Sequence, residues 1–269
     1  MEAYTKLHVI HYKNMNTNNI IKSATSWLLT CVILAATTVA SNAQDAEKVE
    51  ETKKPEWETN ASVGFTLTQG NNDTLLATAS ILALKKWELN ELSLGADGSL
   101  GEVEGVKNNE TLRGNSQYNR LFTNERTYAL LNIAALHDSI ADVEFRGTVS
   151  PGLGHYFFKE EKFELSGELG PGFVYEKVGG ITDHYMSFRA AESAKYKISD
   201  RARLWQKLEF IPQVDHFENY LIMAEIGIDS DLTEKLGMRL TIQDVYDNEP
   251  AAGRKSNDLR VVSSLRYKF

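Results

Sequence analysis

The sequence predicts an all-β fold: a signal peptide, then a closed antiparallel transmembrane β-barrel of about twelve strands over residues 57–269. Three observations lead there. From Trp57 onward, apolar and polar residues alternate with a period of two, segment after segment. Charged turn sequences recur at nearly constant spacing. The chain also ends on "DLRVVSSLRYKF", an alternating strand that stops on an aromatic residue, where a soluble domain would normally fray into water.

Composition sets the outer bounds. The chain has 269 residues, 42% of them hydrophobic, with a net charge of −8. Its mean hydropathy of −0.34 resembles that of a soluble protein. An acidic balance excludes a nucleic-acid partner, which needs a basic face to neutralise phosphates.

The N-terminal region reads as export machinery. "WLLTCVILAATTVA", Trp27 to Ala40, carries no charge. It is too short to span a bilayer as a helix but suits a signal-peptide core, and a short membrane anchor is the alternative. Lys13 and Lys22 precede it, and the small residues Ser41 and Ala43 flank Asn42, so cleavage is expected after Ala43. Met15 would by itself start an ordinary signal peptide. Cys31 is the only cysteine and lies in the segment to be removed, which leaves the mature chain without disulfides or cysteine metal sites. Residues 44–56 are charged and aperiodic, as in a flexible periplasmic leader.

The strands follow in order. Trp57, Ala61, Val63, Phe65 and Leu67 alternate with Glu58, Asn60, Ser62, Thr66 and Thr68. Leu75, Ala77, Ala79, Ile81 and Ala83 share one parity, as do Leu92, Leu94, Ala96 and Leu100. Val143, Phe145 and Val149 oppose Glu144, Arg146, Thr148 and Ser150, while Phe163, Leu165 and Leu169 oppose Glu164, Ser166 and Glu168. Ile222, Ala224, Ile226 and Ile228 form another face. Between them lie the turns "KKWELNE", "FTNER", "FKEEK", "ISDRA" and "LTEK", at intervals of 36, 36, 40 and 34 residues from Trp87 through Thr123, Lys159 and Ser199 to Thr233. Each interval holds two strands and an opposite turn such as "EGVKNN" or "KVGGIT". The strands therefore run to about twelve residues, roughly double the usual globular length.

That length selects the architecture. A soluble sandwich or barrel, acting as a periplasmic binding module, is the competing reading, but it uses shorter strands and turns its apolar parity inward. A tilted membrane strand needs at least about nine residues, and only a closed barrel satisfies strand backbones in lipid. The apolar parity then faces lipid and the polar parity a lumen. Surface loops are expected to be about four to six residues, with "NEPAAGRKSN", Asn248 to Asn257, the longest.

Lumen parity collects Glu144, Arg146, Glu164, Glu168, Arg203, Lys207, Glu209, Arg260, Arg266 and Lys268. Two outcomes are open: a water-filled pore with a charged wall, or charges that pair across the lumen and plug it. Trp57, Trp87, Tyr118, Phe122, Tyr156, Trp205 and Tyr267 fall near strand ends, as interfacial girdle aromatics do. His155, His184 and His216 have no metal spacing, and the carboxylates of "DVYDNEP" and "TDHY" lack calcium-loop spacing, so neither metal nor cofactor is expected.

The stretches "GFTLTQGNNDT" (Gly64, Gly70, Asn71, Thr74), "YNRLFTNERTYALLNIAALHDS", "PGLGHYFF" and the terminal "LRYKF" resemble the salt-induced outer membrane proteins of YdiY type, a Gram-negative family of unknown function. The resemblance spans about residues 57 to 269 and implies an outer-membrane barrel, without implying any activity. A passive pore or an envelope-integrity role linked to salt stress is the corresponding expectation, with no catalytic residues. The partners expected are outer-membrane lipid and, during biogenesis, periplasmic chaperones and the barrel-assembly machinery, whose recognition signal Tyr267 and Phe269 resemble. A different class of function rests on His137 and Ser139, two apart on one strand face, a spacing similar to that of outer-membrane phospholipases. The glycine that follows the serine motif in those enzymes is replaced here by Ile140 and Ala141.

Overall fold

The computed structural model describes residues 56–68 and 74–269. The signal segment with its cleavage after Ala43, the alternative start at Met15, and the leader up to residue 55 lie outside the described residues, as do 69–73 of the first hairpin.

Twelve strands follow one another: β1 (Trp57–Thr68), β2 (Thr74–Trp87), β3 (Asn90–Val103), β4 (Val106–Leu121), β5 (Thr127–Asp138), β6 (Val143–Lys159), β7 (Phe163–Val178), β8 (Ile181–Ser199), β9 (Ala202–Pro212), β10 (Tyr220–Asp231), β11 (Leu236–Asp247) and β12 (Asn257–Lys268). Each pairs antiparallel with its sequence neighbour, and β12 pairs with β1 to close the ring. An even strand number brings Trp57 and Lys268 to the same end, here the near end; the β11–β12 loop lies at the far end.

The strands run from 11 residues in β9 to 19 in β8, longer on average than the alternation alone indicates. The extra length is taken from the loops, several of which are two-residue turns rather than the expected four to six. At Glu104–Gly105 and Gly179–Gly180 both turn residues have positive φ. That is the left-handed geometry whose twist matches a tight hairpin.

The period of two has its predicted meaning. On β12, Leu259, Val261, Leu265 and Tyr267 are exposed on the outer face, while Arg266 is buried inside. On β10 and β11, Ile226, Ile228, Leu240 and Ile242 point out; Asp229 and Thr241 are buried within. At the near end Lys85 Nζ sits 5.4 Å from the ring centre of Trp57 and 5.9 Å from that of Trp87, a cation–π arrangement on the outer rim. An outward apolar wall over a polar interior inverts the soluble arrangement and suits hydrocarbon surroundings.

Two inward clusters of larger side chains narrow the interior. Leu121, Tyr128, Leu130 and Tyr156 pack together near one end, and Val174, Tyr185, Ile211 and Leu221 near the other. Their bulk is matched by close backbone contact between β6 and β7. Pro151 and Pro171 meet there with no N–H to donate, and regular pairing lapses between Val149↔Phe173 and Leu153↔Leu169. Beside them Gly152 and Gly170 let the strands touch. A Cβ on Gly170 would lie 2.1 Å from the Pro151 carbonyl oxygen.

Gly170→Val is therefore expected to lower unfolding stability in lipid vesicles by about 2 kcal/mol or more, measured by urea titration. Gly114, with open space where a Cβ would go, provides the control: Gly114→Val should leave the midpoint nearly unchanged.

Candidate functional site: the charged lumen

The inward parity of twelve strands converges on one space, and its charges are arranged as bridges. Arg113 on β4 donates from Nη2 to Gln243 Oε1 on β11 at 2.8 Å, and its Nη1 lies 3.9 Å from Glu225 on β10. These strands stand nearly opposite each other in the ring. Its Nε is anchored on its own wall by Asp97 at 3.0 Å. Arg113 thus spans the bore.

A second bridge crosses toward the far end. Arg146 on β6 donates to Glu176 on β7 at 2.5 Å and to Asp247 on β11 at 2.9 Å. The guanidinium is largely buried, with a side-chain exposure of 9%. Arg260 reaches from β12 to Thr111 Oγ1 on β4 at 2.9 Å, and Thr111 in turn donates to Asp138 at 3.0 Å. Gln117 on β4 donates to Glu168 on β7 at 2.7 Å, and Tyr156 on β6 to Glu91 on β3 at 2.7 Å.

Other charges pair along the wall. Arg189 donates to Glu209 from both Nε and Nη2 at 3.1 Å, and to Glu168 at 2.8 Å. Arg239 holds Asp229 through a two-pronged contact of 2.6 and 2.8 Å. This fork-on-fork geometry is the one a planar guanidinium favours. Arg266, the largest of the fully buried side chains, bonds Asp231, which also accepts from Lys268 at 2.6 Å. Nearer the rim, Glu164 pairs with Lys195 at 2.6 Å, and Arg203 lies 3.9 Å from Asp231. Lys207 is on the inward parity, paired in register with Glu225. No hydrogen bond or ion pair to its ammonium occurs among the described residues.

The sequence-selected charges therefore line the lumen with one exception. Glu144 lies in a bulge where the register shifts between Val143 and Phe145. The extra residue reverses the alternation, and the Glu144 carboxylate bonds Lys177 at 2.5 Å on the outer surface. Two girdle assignments are also corrected. Tyr156 points inward to Glu91, and Trp205 lies inside over Gly227, whose missing side chain leaves room for the indole. Arg113, Arg189, Arg239, Glu176, Asp229 and Asp247 were not selected from sequence. The same parity rule reaches them: in "MRLTIQD" Arg239, Thr241 and Gln243 alternate with Leu240 and Ile242.

His137 and Ser139 do not bond each other. Ser139 donates to Glu110 at 2.5 Å, while His137 Nδ1 lies 2.8 Å from the Glu144 carbonyl oxygen. His155 meets Thr127 at 3.0 Å, and His216 approaches Glu249 at 3.5 Å between two far-end loops. The carboxylates of "DVYDNEP" are engaged as well: Asp244 accepts from Asn257 at 2.6 Å and Asp247 from Arg146. Cavities of about 490 and 410 Å³ lie at the two rims, the first against Phe173, Tyr185 and Gln213, the second against Asp200, Arg201 and Asp231.

Arg189→Met would leave the half-buried Glu168 and Glu209 without their shared cation. Breaking such a group is expected to cost about 3 kcal/mol in vesicle-based unfolding, and the combined variant with Glu168→Gln and Glu209→Gln should recover most of it.

Three solved barrels are similar in outline. A NanC porin shares 7% identity at a TM-score of 0.45, covering 78% of this chain and 97% of the porin. A KdgM porin shares 8% at 0.43, covering 80% and 99%. The COG4313 outer membrane channel from Pseudomonas putida F1 shares 10% at 0.47, covering 84% and 100%. No curated protein sequence matches significantly. One family model does match, over residues 61–269, which is nearly the whole barrel, and by that match the chain belongs to DUF481, a family of proteins of unknown function.

Proposed function

We propose that this protein is exported through a signal peptide ending at Ala43, inserted into the Gram-negative outer membrane by the barrel-assembly machinery with periplasmic chaperones, and acts there as a narrow passive pore for water and small ions. The observation that carries the reading is the lumen. Between the two inward apolar clusters it is polar and charged, and it is crossed at separate levels by single side chains, chiefly Arg113 and Arg146. Polar walls keep water and ions solvated, and the crossings limit solute size.

Under this reading the near end is periplasmic and the far end extracellular. The far mouth is acid-rich: Glu102, Asp138, Asp142, Asp183, Asp215 and Glu218 lie in its turns and strand ends, against Lys107, Lys177, Arg254 and Lys255. Such a mouth concentrates cations, whereas Arg113 and Arg260 further in oppose them. Selectivity is therefore set by the balance of mouth and constriction. His137 and Ser139 have no catalytic part in this reading, since each is bonded to a different group.

Purified protein in planar bilayers is expected to give small, discrete conductance steps. Arg113→Ala should enlarge the step by about twofold and shift the reversal potential in a salt gradient toward cations. Ser139→Ala should change neither. Silence at high protein load from both the native chain and Arg113→Ala would sink the pore and leave a closed, purely structural barrel.

A further inference from the structure

The outer wall of β7, β8 and β9 carries one carboxylate in mid-strand. Glu192 lies on the outward face of β8, level with Gly167 on β7 and Leu208 on β9. Exposed Leu169, Leu208 and Phe210 surround it. The near-end aromatic row on these strands is the Phe163↔Tyr196 pair. Glu192 is further in by about 10 Å along a tilted strand, at hydrocarbon depth rather than among headgroups.

Other outward carboxylates have company near strand ends. Glu110 takes Lys107 and Ser139, Glu144 takes Lys177, and Asp244 takes Asn257. No described residue bonds Glu192. Beside it stands Gln206, outward on β9 opposite Ala194 and thus diagonal to Glu192. Its amide also bonds no described residue. An acid and an amide facing hydrocarbon are costly, and neither finds relief on its own barrel.

Their chemistry is complementary. A primary amide both donates and accepts, so it matches a carboxyl group in either protonation state. Their depth matches as well. The row that includes Thr127, the first residue of β5, passes through His155 and Gly167 and reaches Glu192 well inside β8. Rows therefore climb away from the near end from β5 toward β9. A step up from Glu192 to Leu208, then two residues back down β9, returns to Gln206 at nearly the original level.

From this, and resting on the membrane placement proposed above, we infer that the β8–β9 wall is the contact between two copies of this chain. A two-fold axis along the membrane normal, passing between the two side chains, sets Glu192 of each copy against Gln206 of the other. The small flanking residues Ala190 and Ala194 allow the walls to approach. A second copy is the occupant that brings this pair of groups in the required order, because the complementarity is contained in the patch itself.

Single-molecule photobleaching of the full-length chain, carrying one fluorophore per copy in lipid vesicles, tests this. The native chain should bleach in two steps and the doubly changed Glu192→Leu, Gln206→Leu chain in one. The exchanged chain, Glu192→Gln with Gln206→Glu, should keep two steps. Replacing lipid-facing polar groups by Leu does not endanger the fold, which heat-modifiable gel mobility would verify. One-step bleaching of the native chain at every density overturns the inference, as does two-step bleaching of the double-Leu chain or one-step bleaching of the exchanged chain. Conductance reports separately on the pore: the one-step variant should conduct in unchanged unit steps.

Discussion

A strand surrounded by hydrocarbon can place its N–H and C=O groups only on another strand. Everything else in this chain follows from that constraint. The sheet has to close, so β12 pairs with β1. Closure around twelve strands fixes an interior, and alternation sends every second side chain into it. The apolar outer wall and the charged lumen are therefore two readings of one sequence pattern, and neither can be altered along a strand without moving the other.

The interior shows how a polar space can still be well ordered. Guanidinium groups at Arg146, Arg189 and Arg266 are buried; Arg146 and Arg189 each meet carboxylates from two other strands, and Arg266 meets Asp229 and Asp231 of β10. Shared contacts of this kind tie strands that are not neighbours in the sheet, as Arg146 ties β6 to β7 and β11. Tyr128 and Tyr156 contribute in the same way, each with an apolar ring in the near-end cluster and a hydroxyl on a carboxylate. Bore size is thus decided by a few long side chains rather than by strand number alone.

Much of the fold was legible in the sequence because its physical cause is local. A period of two, long strands and charged turns each act over a few residues, and they specified twelve strands and the facing of Arg260 and Arg266. What stayed hidden was of two kinds. The Val143–Phe145 bulge inserts a residue without a sequence mark strong enough to announce it, and Glu144 changes faces. Trp205 looks like any strand-end aromatic until register places Gly227 beside it. The crossings Arg113–Gln243 and Arg146–Asp247 depend on the stagger of strands around the ring, which no single strand encodes.

Closure itself is uneven. Most neighbouring strands share long ladders, such as the β7–β8 pairing from Phe163↔Tyr196 to Val178↔Ile181, whereas the β1–β12 ladder runs from Asn60↔Lys268 to Val63↔Leu265. The Phe269 amide adds a bond to Thr59 at 3.0 Å, and Arg266 lies 3.4 Å from Asn60. The ring consequently has a seam. With the shortest ladder of any neighbouring pair, this line is where the wall has the fewest backbone bonds to resist opening, so the tightness of the whole ring is set by its two end strands.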